Sequence, residues 1–392
     1  MFVSLRPPRN LMLRLAAFAS AFWLASCDTG AIGGGPRINL DVAVPVALLV
    51  PGGAGNTGDE FLAKGLRQAA EMAIADLAPQ GVKIDLRVYN TGGDAAAAAA
   101  VATQAVADGA KIILGPVFAE AANAVGHAIA PAGINVLSFS NNTDIAGGNV
   151  FVLGPTFPNT ANRLVGYAVR TGKRRIMVVN EQTAAGENGA RAIAAAMARY
   201  GAQPGGTFTY PFSQEGVINA IPAIAARAKS GEVDAVFMTA DTSGSLSYLT
   251  QLLPERGVDR ALVQFIGLTR WDIPPSTLAL PGVQGGWFAL PDPGLNGQFA
   301  ARYQAAFSEP PHPISGLAYD GIAAIGALVQ AGHADALTAA ALTQSAGFVG
   351  VNGIFRLLPD GTNERGLAVA EVRDNQVIVL DPAPRSFGAT GF

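Results

Sequence analysis

Residues 111–142 read KIILGPVFAEAANAVGHAIAPAGINVLSFSNN, and this stretch decides the fold. A first apolar run ends at Gly115-Pro116, a helix of small residues is predicted over 119–130, and a second apolar run ends in the polar cluster 138–142. Short apolar runs bounded by Gly and Pro are typical of buried parallel strands. Both runs would therefore end at one edge of a sheet, and the carboxyl edge of an open α/β sheet is where ligands bind. We interpret this stretch as half of a ligand-binding rim.

Strand and helix patterns alternate on both sides of this stretch. They predict β-α-β-α-β-α-β over 42–139, and the alternation restarts at residue 151 and ends near residue 290. Such alternation implies parallel sheets with helices on both faces. Helices are then predicted between 299 and 345, followed by short antiparallel strands between 353 and 380. We therefore predict an α/β fold of two doubly wound parallel-sheet lobes, with the late helices returning to the first lobe.

Composition indicates a folded chain that does not bind nucleic acid as its main partner. Half of the 392 residues are hydrophobic and only 14% are charged, which favours a large core over disorder. The net charge is −3 and no long basic run is present, so the electrostatic footprint of a nucleic-acid-binding protein is missing.

The first 27 residues have the pattern of a bacterial export signal. Three arginines precede a short apolar core at 15–24, and Leu24-Ala25-Ser26-Cys27 resembles a lipobox, in which the cysteine becomes the lipid-bearing first residue. The alternative is an ordinary cleaved signal peptide with an accidental cysteine. Cys27 is the only cysteine, and Asp28 resembles an inner-membrane retention signal. We expect a periplasmic lipoprotein anchored to a bacterial membrane, with residues 28–40 as a flexible tether.

The order of elements resembles the type I periplasmic binding proteins, in particular the branched-chain amino-acid (leucine-binding) receptor group. The resemblance spans roughly residues 40–380 and rests on several short motifs in the same order. These are VALLVP with its Gly-rich loop, Gly115-Pro116 before a helix, Val136-Leu137-Ser138 before the Asn pair, Tyr319-Asp320-Gly321 at a late helix, and a closing pattern from Phe348 to Gly361.

This resemblance implies two lobes joined by three crossings, with a ligand in the cleft between them. Lobe one would comprise 41–154 and 292–345, lobe two 155–291 and 346–380, and residues 381–392 a C-terminal tail. It also implies a non-enzymatic binding protein without a cofactor, like the amino-acid-binding component of an ABC importer. Its partners would be a small polar solute or a peptidoglycan fragment, and an ABC permease.

The resemblance also places the candidate ligand contacts. They are Val117, Phe118, Ser140, Asn141 and Asn142 in lobe one, and Ala185, Asp241, Arg270 and Trp271 in lobe two. The polar cluster 140–142 corresponds to the family's loop that hydrogen-bonds a carboxylate. From the residues alone, Phe118 and Trp271 could each form a cleft wall or pack in a core. Asp241 could contact the ligand or cap a helix.

Two positions depart from the amino-acid receptors. Ala185 stands where the family usually has an aromatic residue, and Arg270 lies near the place of an acid that would take the ligand's ammonium group. Together with the lipobox, these departures resemble lipoproteins related to activators of penicillin-binding proteins. The alternative function is therefore regulation of peptidoglycan synthesis by contact with a penicillin-binding protein.

A dinucleotide motif gives a third alternative, an NAD-dependent enzyme. Residues 53–58 match G-x-G-x-x-G between a strand and a helix, but the second strand ends at Tyr89-Asn90 without an acid for the ribose. A flexible rim loop explains the motif better, and an anion-binding helix start is the second explanation. His127, His312 and His333 have no metal-ligand spacing, so we predict no metal site.

Overall fold

The computed structural model describes residues 35–388 and confirms the predicted α/β architecture of parallel sheets flanked by helices. Residues 1–34 lie outside the described part of the chain, and so do residues 389–392. The predictions for the signal peptide, Cys27, Asp28 and most of the tether therefore concern residues that the structure does not describe.

The first sheet has five strands, all parallel, in the order β2-β1-β3-β4-β5. Strands β3 and β4, the two apolar runs of the deciding stretch, are completely buried, and so is β5. Its elements are β1 (Val44–Val50), α1 (Thr57–Leu77), β2 (Ile84–Asn90), α2 (Ala95–Ala107), β3 (Ile112–Leu114), α3 (Ala119–Ile129), β4 (Val136–Ser138) and β5 (Val150–Val152).

The next part of the chain repeats this build with a second parallel sheet. Helix α4 begins after Thr156, whose hydroxyl accepts a hydrogen bond from the Asn159 amide and so caps the helix. The elements are α4 (Phe157–Arg170), β6 (Arg175–Glu181), α5 (Ala184–Tyr200), β7 (Gln203–Tyr210), α6 (Gln214–Ala228), β8 (Ala235–Met238), α7 (Leu246–Glu255), β9 (Gln264–Gly267) and β10 (Trp287–Leu290).

The chain then returns to the first sheet. The late helix α9 (Gly316–Gln330) lies so close to α1 that a Cβ on Gly326 would be 2.4 Å from a methyl carbon of Leu77. The elements of this part are α8 (Pro293–Phe307), α9 (Gly316–Gln330), α10 (Ala339–Leu342) and the antiparallel strands β11 (Phe348–Gly350), β12 (Gly353–Leu357) and β13 (Asn363–Arg365). Side chains of α8 and α9 therefore share an apolar cluster with side chains of β1 and α1.

The last two strands complete the second sheet. Strands β14 (Ala368–Arg373) and β15 (Gln376–Asp381) pair antiparallel beside β10, which gives the order β15-β14-β10-β9-β8-β6-β7. The sheet therefore has five parallel strands and an antiparallel edge, an arrangement that occurs in many large doubly wound sheets.

Apolar clusters on the faces of the two sheets define a first and a second core. Phe348, Phe355 and Leu357 pack in the first core, whereas Leu367 packs in the second. The predicted lobe boundaries stay a prediction, and we propose to move the boundary at 346 to between 357 and 367. Among residues 35–388, no helix combines the length and apolar character that crossing a membrane requires.

Three segments connect the cores, at 153–156, 291–292 and 366–367, and a buried polar network joins them. Arg365 forms an ion pair with Asp320 at 3.0 Å and donates through Nε to the Leu153 carbonyl at 2.7 Å. Asn352 donates to the same Asp320 carboxylate, and its carbonyl accepts the Asp292 N–H at 3.2 Å. Because charged groups are buried only where they are paired, this network fixes the geometry of the crossings.

Candidate functional site

A cleft of about 560 Å³ opens between the two sheets at their carboxyl edges. One wall is the loop that follows β4, and the other is the beginning of α5. The lining residues are Asn141, Asn142, Thr143 and Asp144 on the first side, Ala184, Ala185, Asn188, Arg191 and Ala192 on the second, and Phe157 and Pro158 at the start of α4. The deciding stretch thus contributes to a cleft wall.

The loop after β4 is held by its own short polar side chains. The Ser138 hydroxyl accepts the Ser140 N–H at 3.1 Å, and the Ser140 hydroxyl accepts the Asn142 N–H at 3.1 Å. The Asn142 side chain in turn accepts the Asp144 N–H at 2.9 Å. This series of turns gives the rim a fixed shape, as Ser and Asn side chains do when they bond to the backbone two residues on.

The opposite wall depends on glycines that let α5 begin close to β6. Thr183 caps the helix by accepting the Gly186 N–H at 3.0 Å. A Cβ on Gly186 would lie 2.3 Å from the Glu181 carbonyl oxygen, so no larger residue fits there. Ala184 and Ala185, in the first turn, are exposed to the cleft.

Asn188 connects the two walls and separates two charges. Its amide donates to the Asp144 carboxylate at 3.5 Å and its carbonyl oxygen accepts from the Arg191 guanidinium. Asp144 and Arg191 are both exposed, and neither forms an ion pair within the described part of the chain. The cleft therefore offers one carboxylate and one guanidinium to a solute.

Three of the nine predicted ligand contacts line this cleft, namely Asn141, Asn142 and Ala185. Ser140 is adjacent but only 6% exposed, and its hydroxyl holds the loop. Val117 is half-buried and packs against the first core. Phe118, 40% exposed, immediately precedes α3, and its ring edge is 3.5 Å from the position of a Cβ on Gly93. Whether any of these residues contacts a ligand stays a prediction.

Two predicted contacts on the second sheet lie elsewhere. Asp241 is exposed, and its carboxylate accepts the Ser243 N–H at 3.0 Å and the Ser243 hydroxyl at 2.9 Å, which makes it a turn-stabilising residue. The Arg270 guanidinium pairs with Asp272, with Nε 2.8 Å from a carboxylate oxygen. Arg270 lines a separate small cavity beside the crossings.

Trp271 is not a cleft wall, which corrects the prediction. Its side chain is fully buried in the second core and stacks on Phe288 at 6.5 Å. Gly267 and Gly286 make room for it, because a Cβ on either would overlap the indole ring. Trp287 and Phe288 are buried as well.

Sequence reasoning missed a buried acid at the end of β6. Glu181 is 6% exposed, and one of its oxygens accepts from Tyr210 at 3.3 Å and from Ser245. Burial, and the nearby Glu181 charge, raise the pKa of the Tyr210 hydroxyl. The available signal was an acid two residues after the predicted strand 175–179, since the end of a parallel strand faces the ligand-binding edge.

The G-x-G-x-x-G loop uses its amides internally. The Gly53 N–H donates to Glu60 at 2.6 Å, and the Gly58 and Asp59 N–H groups donate to the Asn56 side chain at 2.9 and 3.3 Å. A phosphate-binding loop needs such N–H groups free for the ligand. This loop therefore caps α1, and no observation favours the dinucleotide alternative.

Residues 35–388 contain no group of three or more His, Cys, Asp or Glu side chains that is arranged to hold a metal ion.

The chain belongs to the periplasmic binding protein family, whose sequence model matches residues 44–376. This confirms the predicted family and makes the chain a periplasmic substrate-binding protein. A search of curated protein sequences gave no match.

Solved structures share the fold. A protein of branched-chain amino acid ABC transport from Rhodospirillum rubrum has a TM-score of 0.74 and 18% identity, over 86% of this chain and 100% of that one. A branched-chain amino acid ABC transporter periplasmic ligand-binding protein from Burkholderia xenovorans has a TM-score of 0.71 and 16% identity. The match covers 87% of this chain and 96% of that one. A solute-binding protein from Rhodopseudomonas palustris, in complex with 3,4-dihydroxybenzoic acid, has a TM-score of 0.59 and 17% identity. The match covers 88% of this chain and 98% of that one. At these identities the comparisons establish a common architecture.

Proposed function

We propose that the chain is the solute-binding component of an ABC importer and that it binds a small zwitterionic solute, an α-amino acid, in the cleft between the sheets. The observation that carries the proposal is the cleft itself, with Asp144 on one wall and Arg191 on the other, neither of which forms an ion pair with any of residues 35–388. Asp144 suits an ammonium group and Arg191 suits a carboxylate. The relatives named for branched-chain amino acid transport support this class of solute.

The test is a thermal-shift screen of the purified protein against the common amino acids, followed by calorimetric titration of any hit. At a concentration of 100 Kd, a bound solute should stabilise the protein by about 2.7 kcal/mol. Asp144→Asn and Arg191→Gln should each weaken binding about tenfold or more, because each removes one charge-assisted contact. The exposed Arg67→Gln on α1 is the matched control. If no amino acid shifts the melting temperature at millimolar concentration, the proposal fails.

We also propose that the protein has no catalytic activity and that it is lipid-anchored through Cys27. The membership of a substrate-binding family supports the first part, and the lipobox-like sequence 24–27 supports the second. Mass spectrometry of the protein from a bacterial membrane fraction should show a diacylglyceryl-modified cysteine at its N-terminus. A Cys27→Ser variant should lose the modification, and an unmodified Cys27 in the wild type would contradict the anchor.

Contact with a penicillin-binding protein stays the alternative. It rests on the departures at Ala185 and Arg270, and no feature of the described residues favours it over solute binding.

A further inference from the structure

A second, smaller cavity of about 100 Å³ lies where the crossings meet, apart from the cleft described above. All three connecting segments contribute to its wall, through Pro155, Pro291 and Leu367. Ile273 in the loop after β9, Ile314 just before α9, and Leu317 in the first turn of α9 add aliphatic side chains. The two cavities share no lining residue, so a ligand here would not occupy the cleft.

Two guanidinium groups are the charged part of this lining. Arg365 is 5% exposed, and its Nε and Nη1 are bonded to Leu153 and Asp320, but its Nη2 has no hydrogen-bond partner. Arg270 uses Nε and Nη2 for Asp272. No Asp or Glu lines the cavity. A buried guanidinium nitrogen without an acceptor is unfavourable, and an anion placed beside it would remove that cost.

Size and polarity together select the ligand class. An engineered cavity of ~150 Å³ admits benzene, so this smaller cavity suits only a few carbon atoms. Its aliphatic lining matches a short alkyl group, and its guanidinium groups match a carboxylate. An ammonium group would meet the two guanidinium groups, because the Asp272 and Asp320 carboxylates that pair with them are not among the lining residues.

We propose that this crossing cavity is a binding site for a short aliphatic carboxylate, of the size of acetate to isobutyrate and without an ammonium group. Because the three crossings form its wall, the bound acid contacts every segment that must move when the two sheets change their separation. The ligand would thereby stabilise the arrangement described here and favour solute binding in the cleft.

The experiment compares sodium isobutyrate with neutral isobutyramide by thermal shift and calorimetric titration of the full-length protein. The carboxylate should raise the melting temperature and the amide should not. The double variant Arg270→Gln/Asp272→Asn removes one ion pair at the cavity and should weaken isobutyrate binding about tenfold. Arg67→Gln/Glu71→Gln removes an exposed ion pair on α1 and should leave binding unchanged. Ile314→Phe narrows the cavity without changing its charge and should abolish isobutyrate binding. This variant tests the site independently if Arg270→Gln/Asp272→Asn folds poorly.

Equal responses to the acid and the amide, or undiminished isobutyrate binding in both cavity variants, would overturn the proposal. Amino-acid binding is titrated in parallel. If amino acids bind and isobutyrate does not, this inference fails and the importer function stands. If Arg270→Gln/Asp272→Asn abolishes the binding of amino acids and of isobutyrate together, the two cavities act as one site and the proposal of a separate site is refuted.

Discussion

The hydroxyl of Tyr303 illustrates how a single residue of the first core sets a pH limit on stability. Tyr303 is 1% exposed and donates to the Gln68 side chain. Burial raises the pKa of Tyr303 to about 12, whereas tyrosine in an unfolded chain ionises near pH 10. The neutral hydroxyl therefore stabilises the fold fully below pH 10, and this stabilisation is lost as the pH rises from about 10 to about 12.

We predict that Tyr303→Phe makes the free energy of unfolding less sensitive to alkaline pH. A phenylalanine cannot ionise, so the variant avoids a loss on the order of 2 kcal/mol between pH 10 and pH 12. Urea unfolding at several pH values measures the difference, and Tyr200→Phe, on a half-buried tyrosine at the end of α5, is the control. A Tyr303→Phe variant that loses stability as steeply as the wild type would disprove the assignment.

At the scale of elements, strand β7 shows where sequence patterns stop being informative. Its residues read QPGGTFTY, and Pro-Gly-Gly is a typical turn signal, so no strand was predicted there. Hydrogen-bonded pairing with β6 overrides that signal. The register of the pairing shifts between Ile176 and Met177, and Gly206, opposite Met177, adopts a φ of +117°. The buried strands β3 and β4 were predictable because their apolar runs are continuous and bounded.

The candidate site was only partly predictable for a related reason. Asn141, Asn142 and Ala185 line the cleft because they follow strands whose ends meet at one edge. Burial at those ends depends on neighbours from distant parts of the chain. Trp271 is buried because Gly267 and Gly286 leave space for its ring, and nothing in the local sequence around Trp271 indicates Gly286.

At the scale of the whole molecule, the buried pair Arg365–Asp320 belongs to the polar network that joins the three crossings. Arg365 lies on β13 and Asp320 on α9, and both are almost inaccessible to water. Breaking a buried ion pair by removing one partner leaves an uncompensated charge, which costs about 3–5 kcal/mol.

We predict that Arg365→Met destabilises the protein by about 3–5 kcal/mol for that reason, and that Asp320→Asn/Arg365→Met is more stable than Arg365→Met alone. Calorimetric melting of the two single variants and the double variant forms the thermodynamic cycle. Additive effects of the two substitutions would show that the pair does not act as a unit.

The burial of Trp271 and Trp287 has a spectroscopic consequence. The chain has only three tryptophans, and the third, Trp23, belongs to the predicted signal peptide. In a processed protein every indole would thus reside in the second sheet's cores, at 0% and 7% exposure. Tryptophan emission should be blue-shifted and should report the unfolding of that half alone, because residues 44–152 contain no tryptophan. Trp271 and Trp287 thereby act as intrinsic fluorescent probes of the second core only.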